Sequence, residues 1–431
     1  MSKRERIAIV DGVRTPFAKV GTGLKTVTAD DLGVYPVKEL IERGSFSLDE
    51  VDELVIGNVA QPAHAANIAR VIGLKAGLPE HIPAMTVHRN CASGMESITT
   101  AAQRLLLGES NLIIAGGTES MSNIPLLYGK KMTALFDQLM RARTLSKKLA
   151  VLSRFRLSFL KPVIGVVQGL TDPVCGLVMG LTAENLAKEF KISRERQDQY
   201  ALESHQKAVQ AQEKGYFKDE IVPVSIGKDA DGLLFDDIGP RKTQSLADLE
   251  KLRPYFDRKN GTVTVGNACP LTDGAAAVVL MTESESKKRK LKPLGFLNGY
   301  AYQGLEPHRM GMGPVYASAK LLKQTGFSMK DIDLVELNEA FSVQALANVI
   351  AFGSKSFARQ CLGQDEAVGE LNPAILNVNG GAVALGHPVG TSGTRIIIHL
   401  LKELRRRQLK RGLATLCVGG GQGGAVIVET D

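Results

Sequence analysis

Val51-Asp52-Glu53-Leu54-Val55-Ile56-Gly57-Asn58 returns later in the chain as Ile332-Asp333-Leu334-Val335-Glu336-Leu337-Asn338. Both are short apolar runs with an acid near the entry and Asn at the exit, which is how a buried strand reads. A second pair follows at about the same offset. Ile98 to Leu107 with Leu112-Ile113-Ile114-Ala115-Gly116-Gly117 is echoed by Thr394 to Leu404 with Ala414-Thr415-Leu416-Cys417-Val418-Gly419. Each member runs helix, strand, glycines. Two echoes at similar spacing favour an internal duplication, and alternating strands and amphipathic helices make each half a layered α/β unit. Such a pair carries its ligand site at the junction, near the carboxyl ends of strands.

Bulk composition fits that reading. The 431 residues suit two domains or a fused pair of similar halves. Apolar residues make up 44% and charged residues 23%, an ordinary globular balance. No apolar run is long enough to span a bilayer, and Met1 to Arg6 passes straight into the strand-like Ile7-Ala8-Ile9-Val10, with no signal-peptide or transit pattern. The expectation is a cytoplasmic protein. The net charge of +8 suits an acidic, phosphate-bearing ligand or an anionic surface. With no Trp, 5% aromatic residues and no recognisable nucleic-acid motif, the chain points away from nucleic acid. The five cysteines are scattered, and the histidines show no metal-ligand spacing, so neither disulfide nor metal is expected.

The middle of the chain departs from the α/β rhythm. From Gly129 to Lys161 there are nine basic residues against one acid, Asp137, with leucines and phenylalanines interleaved at helical spacing. This predicts an amphipathic helical hairpin. It either packs on its own protein with a solvated basic face, or meets an anionic membrane or a partner subunit. Further helices are expected from Thr182 and from Ser193, and Gly261 to Cys269 reads as a strand running into a turn.

Three segments carry reactive groups among small residues: His88-Arg89-Asn90-Cys91-Ala92-Ser93-Gly94, Gly386-His387-Pro388, and Cys417-Val418-Gly419-Gly420-Gly421. Cys91 lies between a strand, Ala84 to Val87, and a helix, Ser93 to Leu107. A thiol at a helix start feels the positive end of the helix dipole, which favours thiolate. His387 sits in Asn379 to Gly393, where five glycines in fifteen residues let a ligand approach the backbone. Cys417 ends a strand and opens a glycine run. Two thiols and an imidazole are the equipment for acyl transfer through a covalent thioester.

Together with Asn338-Glu339-Ala340-Phe341, these motifs in this order resemble the thiolases, over nearly the whole chain. The resemblance implies a five-layer α-β-α-β-α fold of two duplicated halves with a mostly helical loop insertion. The N-terminal half would comprise residues 1–125 plus 251–289, the loop domain 126–250, and the C-terminal half 290–431. It implies that Cys91 takes the acyl group and that His387 activates Cys91 and donates to the thioester oxygen. Cys417 becomes the acid/base thiol, its ordinary pKa of about 8.5 lying near working pH. The Gly419 amide pairs with that of Cys91 as an oxyanion hole, and Asn338 positions a water that works with His387 in a second one. For coenzyme A, Arg241 falls where the family often places a basic residue near the adenine and ribose phosphate. Ala268-Cys269 occupies the family's Ala-Ser position beside the pantetheine arm, with Cys in place of Ser. CoA and acyl-CoA enter as substrates, with no permanently bound cofactor.

The basic segment is similar to that of β subunits of trifunctional fatty-acid oxidation complexes, although Asn338 stands where those usually carry His. This favours 3-ketoacyl-CoA thiolysis in β-oxidation, with acetoacetyl-CoA synthesis from two acetyl-CoA as the alternative. A homodimer or homotetramer is implied, together with a hydratase/dehydrogenase subunit or peripheral membrane contact. A decarboxylating ketosynthase would lack the second thiol, Cys417. A non-enzymatic scaffold or lipid-binding protein would have lost Cys91, His387 or Cys417.

Overall fold

The computed structural model describes residues 5–44, 46–227 and 232–431. Nine strands form the path of one central sheet: β1 Ile7–Arg14, β2 Glu53–Gly57, β3 Ala84–Val87, β4 Leu112–Ser120, β5 Thr272–Thr282, β6 Gly295–Gly304, β7 Leu334–Leu337, β8 Arg411–Val418 and β9 Gln422–Glu429. A short tenth strand, Ala18–Lys19, pairs with the start of β5. The helices that matter are α1 Ala29–Arg43, α2 Ile68–Lys75, α3 Ser93–Leu107, α4 Lys130–Arg141, α5 Leu145–Leu152, α6 Met179–Glu189, α7 Arg194–Glu213, α8 Gly313–Thr325, α9 Ser342–Phe352 and α10 Ser392–Arg407.

The sheet order is β7-β8-β9-β6-β1-β5-β4-β2-β3. Its two wings repeat one topology. In one, β1 and β5 are antiparallel, β5 and β4 antiparallel, and β4, β2 and β3 parallel. In the other, β6 and β9 are antiparallel, β9 and β8 antiparallel, and β8 and β7 parallel. Where the first wing has β3, the second has a single parallel bridge between Val335 and Leu376. The wings join through Ile7–Ile9 of β1 beside Gly295–Leu297 of β6.

Strand periodicity sorts β5 into two cores. Ala276, Val278 and Leu280 face a layer built from α3 and α10. Ala277, Val279 and Met281 face α1 and α2. On the far side, Leu413, Ala425 and Ile427 meet α6, α8 and α9 in a third core. Helices, one wing of the sheet, α3 with α10, the other wing and a second set of helices make up the five layers. The middle layer is closely packed. A Cβ on Gly94 would lie 2.7 Å from the Gly390 carbonyl oxygen, and one on Gly393 2.4 Å from the Met95 nitrogen. Glycine at both points lets the start of α3, which follows Cys91, touch the turn that follows His387.

Three local expectations meet different outcomes. Helix α3 spans Ser93–Leu107, ending at Gly108 with φ 73°. Helix α6 begins earlier than expected, at Met179. Gly261 to Cys269 is not a strand. The Glu184 carboxylate accepts the Thr262 and Val263 amides, both at 2.9 Å, and the Asn267 side chain accepts that of Thr264, so the ladder donors are already used. The basic segment forms α4 and α5 and a turn, bracketed by a two-stranded ribbon of Leu126–Tyr128 with Pro162–Ile164. Only Met132, Leu135 and Ala142 between Lys130 and Lys161 are buried.

Candidate active site

Cys91 lies in a tight turn between β3 and α3. Asn90 takes φ 44°, a left-handed conformation that Asn tolerates better than most residues. The Ser93 hydroxyl closes the turn, accepting from the Arg89 amide at 2.9 Å and donating to the Asn90 carbonyl at 2.7 Å. Asn90 Nδ2 reaches across to the Gly419 carbonyl at 2.7 Å. Arg89 makes a second tie to the same region, donating from Nη1 to Gln422 Oε1 at 3.3 Å while its guanidinium stacks on Tyr302. The Gly419 amide favours the charged form of the Cys91 sulfur.

The helix start does not leave Cys91 a thiolate. Burial pushes its thiol up, and the Gly419 amide and its own amide offset only part of the rise. Desolvation of a charged sulfur outweighs the partial charge of a helix end here. At rest Cys91 is a neutral thiol.

His387 is buried behind the crossing of α3 and α10. Its amide donates to Thr272 Oγ1 at 3.2 Å, and Leu271 bridges to it. Its Nδ1 stands 2.6 Å from Ser392 Oγ, and that hydroxyl also reaches the Pro388 carbonyl at 3.2 Å. With Ser392 donating to Pro388, Nδ1 carries the imidazole proton and Nε2 keeps a free lone pair. Nε2 is buried without a partner. Burial, helped by the Arg395 charge, pushes the imidazole down to about 4, so it is neutral at working pH.

Asn338 lies just beyond β7, its amide donating to the Thr415 carbonyl at 2.9 Å. Its side chain is fully buried with neither carboxamide atom paired. The next residue has no such freedom: Glu339 accepts from Tyr200, Ser204, Asn377 and Val383. An orphaned buried amide costs about 1–3 kcal/mol, a cost relieved when a water or a substrate oxygen arrives.

Cys417 is the penultimate residue of β8, and Ala268-Cys269 runs beside the Asn338 loop, with Ala268 bridged to Phe341 and the Cys269 amide on the Ala340 carbonyl at 3.1 Å. The three sulfurs lie within Coulombic reach of one another. Burial pushes Cys269 up to about 12, and the Cys91 charge adds to the rise. It pushes Cys417 well above the ordinary thiol range, with Cys91 and Cys269 adding to it. Cys417 therefore does not rest near working pH as expected, because no sequence pattern reports its complete burial. Met179, at the start of α6, packs on Gly419.

Cys91, His387, Asn338, Cys417, Gly419, Ala268 and Cys269 thus converge. Arg241 is exposed at the periphery, bonded to Gln244 at 3.1 Å, with its amide on His205 Nδ1 at 3.2 Å. The neighbouring Gly239 packs against Ala384, just ahead of the His387 turn. Two residues of the site escaped the sequence reading. Ser392, five places after His387, orients the imidazole, and Asn90 locks the two turns together. Each lies inside a quoted motif, but only the fold shows what it touches. Among the described residues no cluster of His, Cys, Asp or Glu is arranged to hold a metal ion.

The model of the thiolase N-terminal domain matches residues 7–284, and that of the thiolase C-terminal domain matches residues 291–430. The chain belongs to the thiolase family. The family extends over the full length in its relatives. A 3-ketoacyl-CoA thiolase of Yersinia enterocolitica is 42% identical over 428 residues, covering 99% of this chain and 97% of that one. One of Escherichia coli is 43% identical with the same coverage. Among solved structures, the acetyl-CoA acetyltransferase of Bacillus anthracis aligns with TM-score 0.87 and 38% identity over 100% of both chains. Human mitochondrial 3-ketoacyl-CoA thiolase in complex with CoA aligns with TM-score 0.84 and 38% identity, over 99% of this chain and 98% of that one.

Proposed function

We propose that this protein is a thiolase of fatty-acid β-oxidation, cleaving 3-ketoacyl-CoA with CoA to acetyl-CoA and a shortened acyl-CoA. One observation carries the assignment of roles: His387 Nε2 and the Asn338 carboxamide stand buried and unpaired, while the Gly419 amide favours the charged form of Cys91. In this reading Cys91 attacks the 3-keto carbon as His387 Nε2 takes its proton. Both groups rest neutral, so the ion pair forms only with substrate in place, when water is excluded. The bond between C2 and C3 breaks. His387 and a water on Asn338 hold the developing enolate oxygen, and Cys417 gives its proton to C2. A high thiol pKa suits a group that must first be an acid. CoA then attacks the acyl-enzyme, its thiol proton passing to the Cys417 thiolate, and the Cys91 sulfur leaves and recovers the proton held by His387. The Gly419 amide joins the Cys91 amide on the acyl oxygen. Ala268 and Cys269 border the pantetheine arm, and Arg241 meets the phosphate end of CoA.

Condensation of two acetyl-CoA runs the same steps in reverse, and the fit to the Bacillus anthracis acetyl-CoA acetyltransferase favours it as the second reading. A non-enzymatic role has no support in a site that keeps every reacting group. We further propose a cytoplasmic homodimer or homotetramer and a surface role for the α4–α5 hairpin. The test is mass mapping after incubation with 3-ketoacyl-CoA in the absence of CoA. The acyl adduct is expected on the Cys91 peptide, and an adduct elsewhere or none rejects the assignment. Thiolysis rates on acetoacetyl-CoA against a long-chain 3-ketoacyl-CoA then decide between the two readings.

A further inference from the structure

Glu119, near the end of β4, is a fully buried carboxylate that the steps above do not use. Both of its oxygens are saturated. Oε1 accepts from Asn58 Nδ2 at 3.2 Å and from the Ala60 amide at 2.9 Å. Oε2 accepts from the Val59 amide at 3.2 Å and from the Gly390 amide at 2.8 Å. All four donors are neutral amides, drawn from two places: the turn after β2 and the loop that carries His387.

Three glycines make this junction tight. A Cβ on Gly117 would meet the Gly390 carbonyl oxygen at 2.1 Å, one on Gly57 the Ser93 carbonyl at 2.4 Å, and one on Gly390 Glu119 Oε2 at 2.9 Å. The carboxylate therefore sits where β2, β4, the start of α3 and the His387 loop all meet. Gly390 lies inside the turn in which Thr391 and Ser392 amides bond back to Pro388, at 2.9 and 3.0 Å. That turn presents Ser392 to His387 Nδ1.

We propose that Glu119 is a positioning residue: its ionised carboxylate pins Gly390, and through it the His387 turn, in register with Cys91. The proposal rests on the roles given above to Cys91 and His387. The geometry requires the charge, because a proton on either oxygen removes a lone pair that an amide donor already uses. The titratable groups facing Glu119 are Asp273 on β5 and Cys91. Burial and, less strongly, Asp273 push the carboxyl up to about 7 against its amide donors. At Cys91 burial is the larger cause of the raised pKa, and the Glu119 charge adds to it. The clamp therefore engages as pH rises through neutrality and loosens below it.

The test is the variant Glu119→Gln in the full-length enzyme. Glutamine keeps one accepting oxygen, turns an NH2 toward the other amides and carries no charge. Thiolysis kcat should fall by up to about 10²-fold, the scale of a misplaced catalytic group, with little change in KM. The acid limb of the wild-type profile near pH 7 should disappear. Iodoacetamide labelling of Cys91 should move to lower pH, and Glu119→Asp should restore part of the limb. A folded Gln variant with the wild-type pH profile and labelling curve overturns the proposal. If the Gln variant does not fold, hydrogen exchange in wild-type protein decides: protection of the peptide containing Gly390, corrected for intrinsic rates, should drop as pH falls through 7, and flat protection overturns it. Failure of wild-type Cys91 to take an acyl group would instead reject the underlying roles, whatever Glu119 does.

Discussion

Asn90 Nδ2 stands 2.7 Å from the Gly419 carbonyl oxygen, so one side chain ties the turn that opens α3 to the turn that follows β8. That bond fixes Gly419, whose amide offsets part of the rise in the Cys91 pKa. Asn90→Asp places a carboxylate against a carbonyl and should slow acylation of Cys91 by about 10²-fold. Asn90→Gly keeps the φ of 44° without strain and should lose less. Single-turnover acyl transfer measured by quenched mass spectrometry separates the two, and equal rates in both variants would mean that the hydrogen bond is not what matters.

The two thiols should separate by experiment. Cys91→Ser should lose essentially all turnover, since a hydroxyl is a far weaker nucleophile than a thiol. Cys417→Ala should still acylate at Cys91 but fail to exchange the α-protons of acetyl-CoA with deuterated solvent, a loss of about 10²- to 10⁴-fold. Wild-type exchange in Cys417→Ala removes that thiol from the acid/base role.

The buried imidazole also predicts a pH dependence of stability. His387 binds its proton near pH 4 in the fold, against 6.5 when unfolded. Its neutral form is favoured in the fold, so its contribution is fully present above pH 6.5 and is lost as pH falls toward 4. Replacing it by Asn should remove about 2 kcal/mol of the wild-type loss between pH 7 and pH 5, at roughly 1.4 kcal/mol per pH unit. Urea titrations at the two pH values measure this difference, and parallel losses in both proteins would contradict it.

Legibility followed sequence distance. Helix α3 was readable end to end because its apolar face, its start after Cys91 and its glycine stop are local. The duplication was readable because it is written twice. The Glu119–Gly390 bond spans 271 positions, and neither residue signals the other. The same holds for charge. The helix start beside Cys91 is a local fact, but the depth of burial that reverses its effect belongs to the assembled layers. The segment from Gly261 reads as a strand because its β-branched alternation is local, whereas Glu184, which consumes its amides, lies in another element.

A second remote cluster holds the halves to the loop region. Arg14 on β1 donates to Glu220 at 2.8 Å and to both oxygens of Asp237 at 2.6 and 2.7 Å, and Glu220 meets His399 on α10 at 3.0 Å. Burial opposes charge here, but the His399 and Arg14 charges hold the Glu220 carboxyl down at about 2. Removing one partner strands a buried charge, so Arg14→Ala should cost about 3–5 kcal/mol. Replacement by Lys should recover only part, since an ammonium cannot match the paired geometry. Thermal melts of the three proteins test the ranking.

The hairpin of α4 and α5 and the turn after it leave large apolar side chains exposed. Met140, Leu145 and Leu157 are 86%, 74% and 80% exposed beside Lys130, Lys131, Lys147 and Lys148. Asp137, the one acid between Gly129 and Lys161, is already paired with Arg141 at 3.1 Å. Apolar side chains among unpaired cations match an anionic lipid surface, where each cation near the membrane adds about 1 kcal/mol. Sedimentation with phosphatidylglycerol vesicles should exceed that with phosphatidylcholine and weaken as salt rises, because charges are screened within about 8 Å at physiological ionic strength. Replacing Arg141, Arg143, Lys147 and Lys148 by Gln should abolish vesicle binding and leave acetoacetyl-CoA thiolysis nearly unchanged. Equal binding to both lipids, with salt-resistant co-purification of a second subunit, would assign the apolar face to a protein partner. Loss of thiolysis in the folded variant would assign the segment to the acyl or coenzyme pocket.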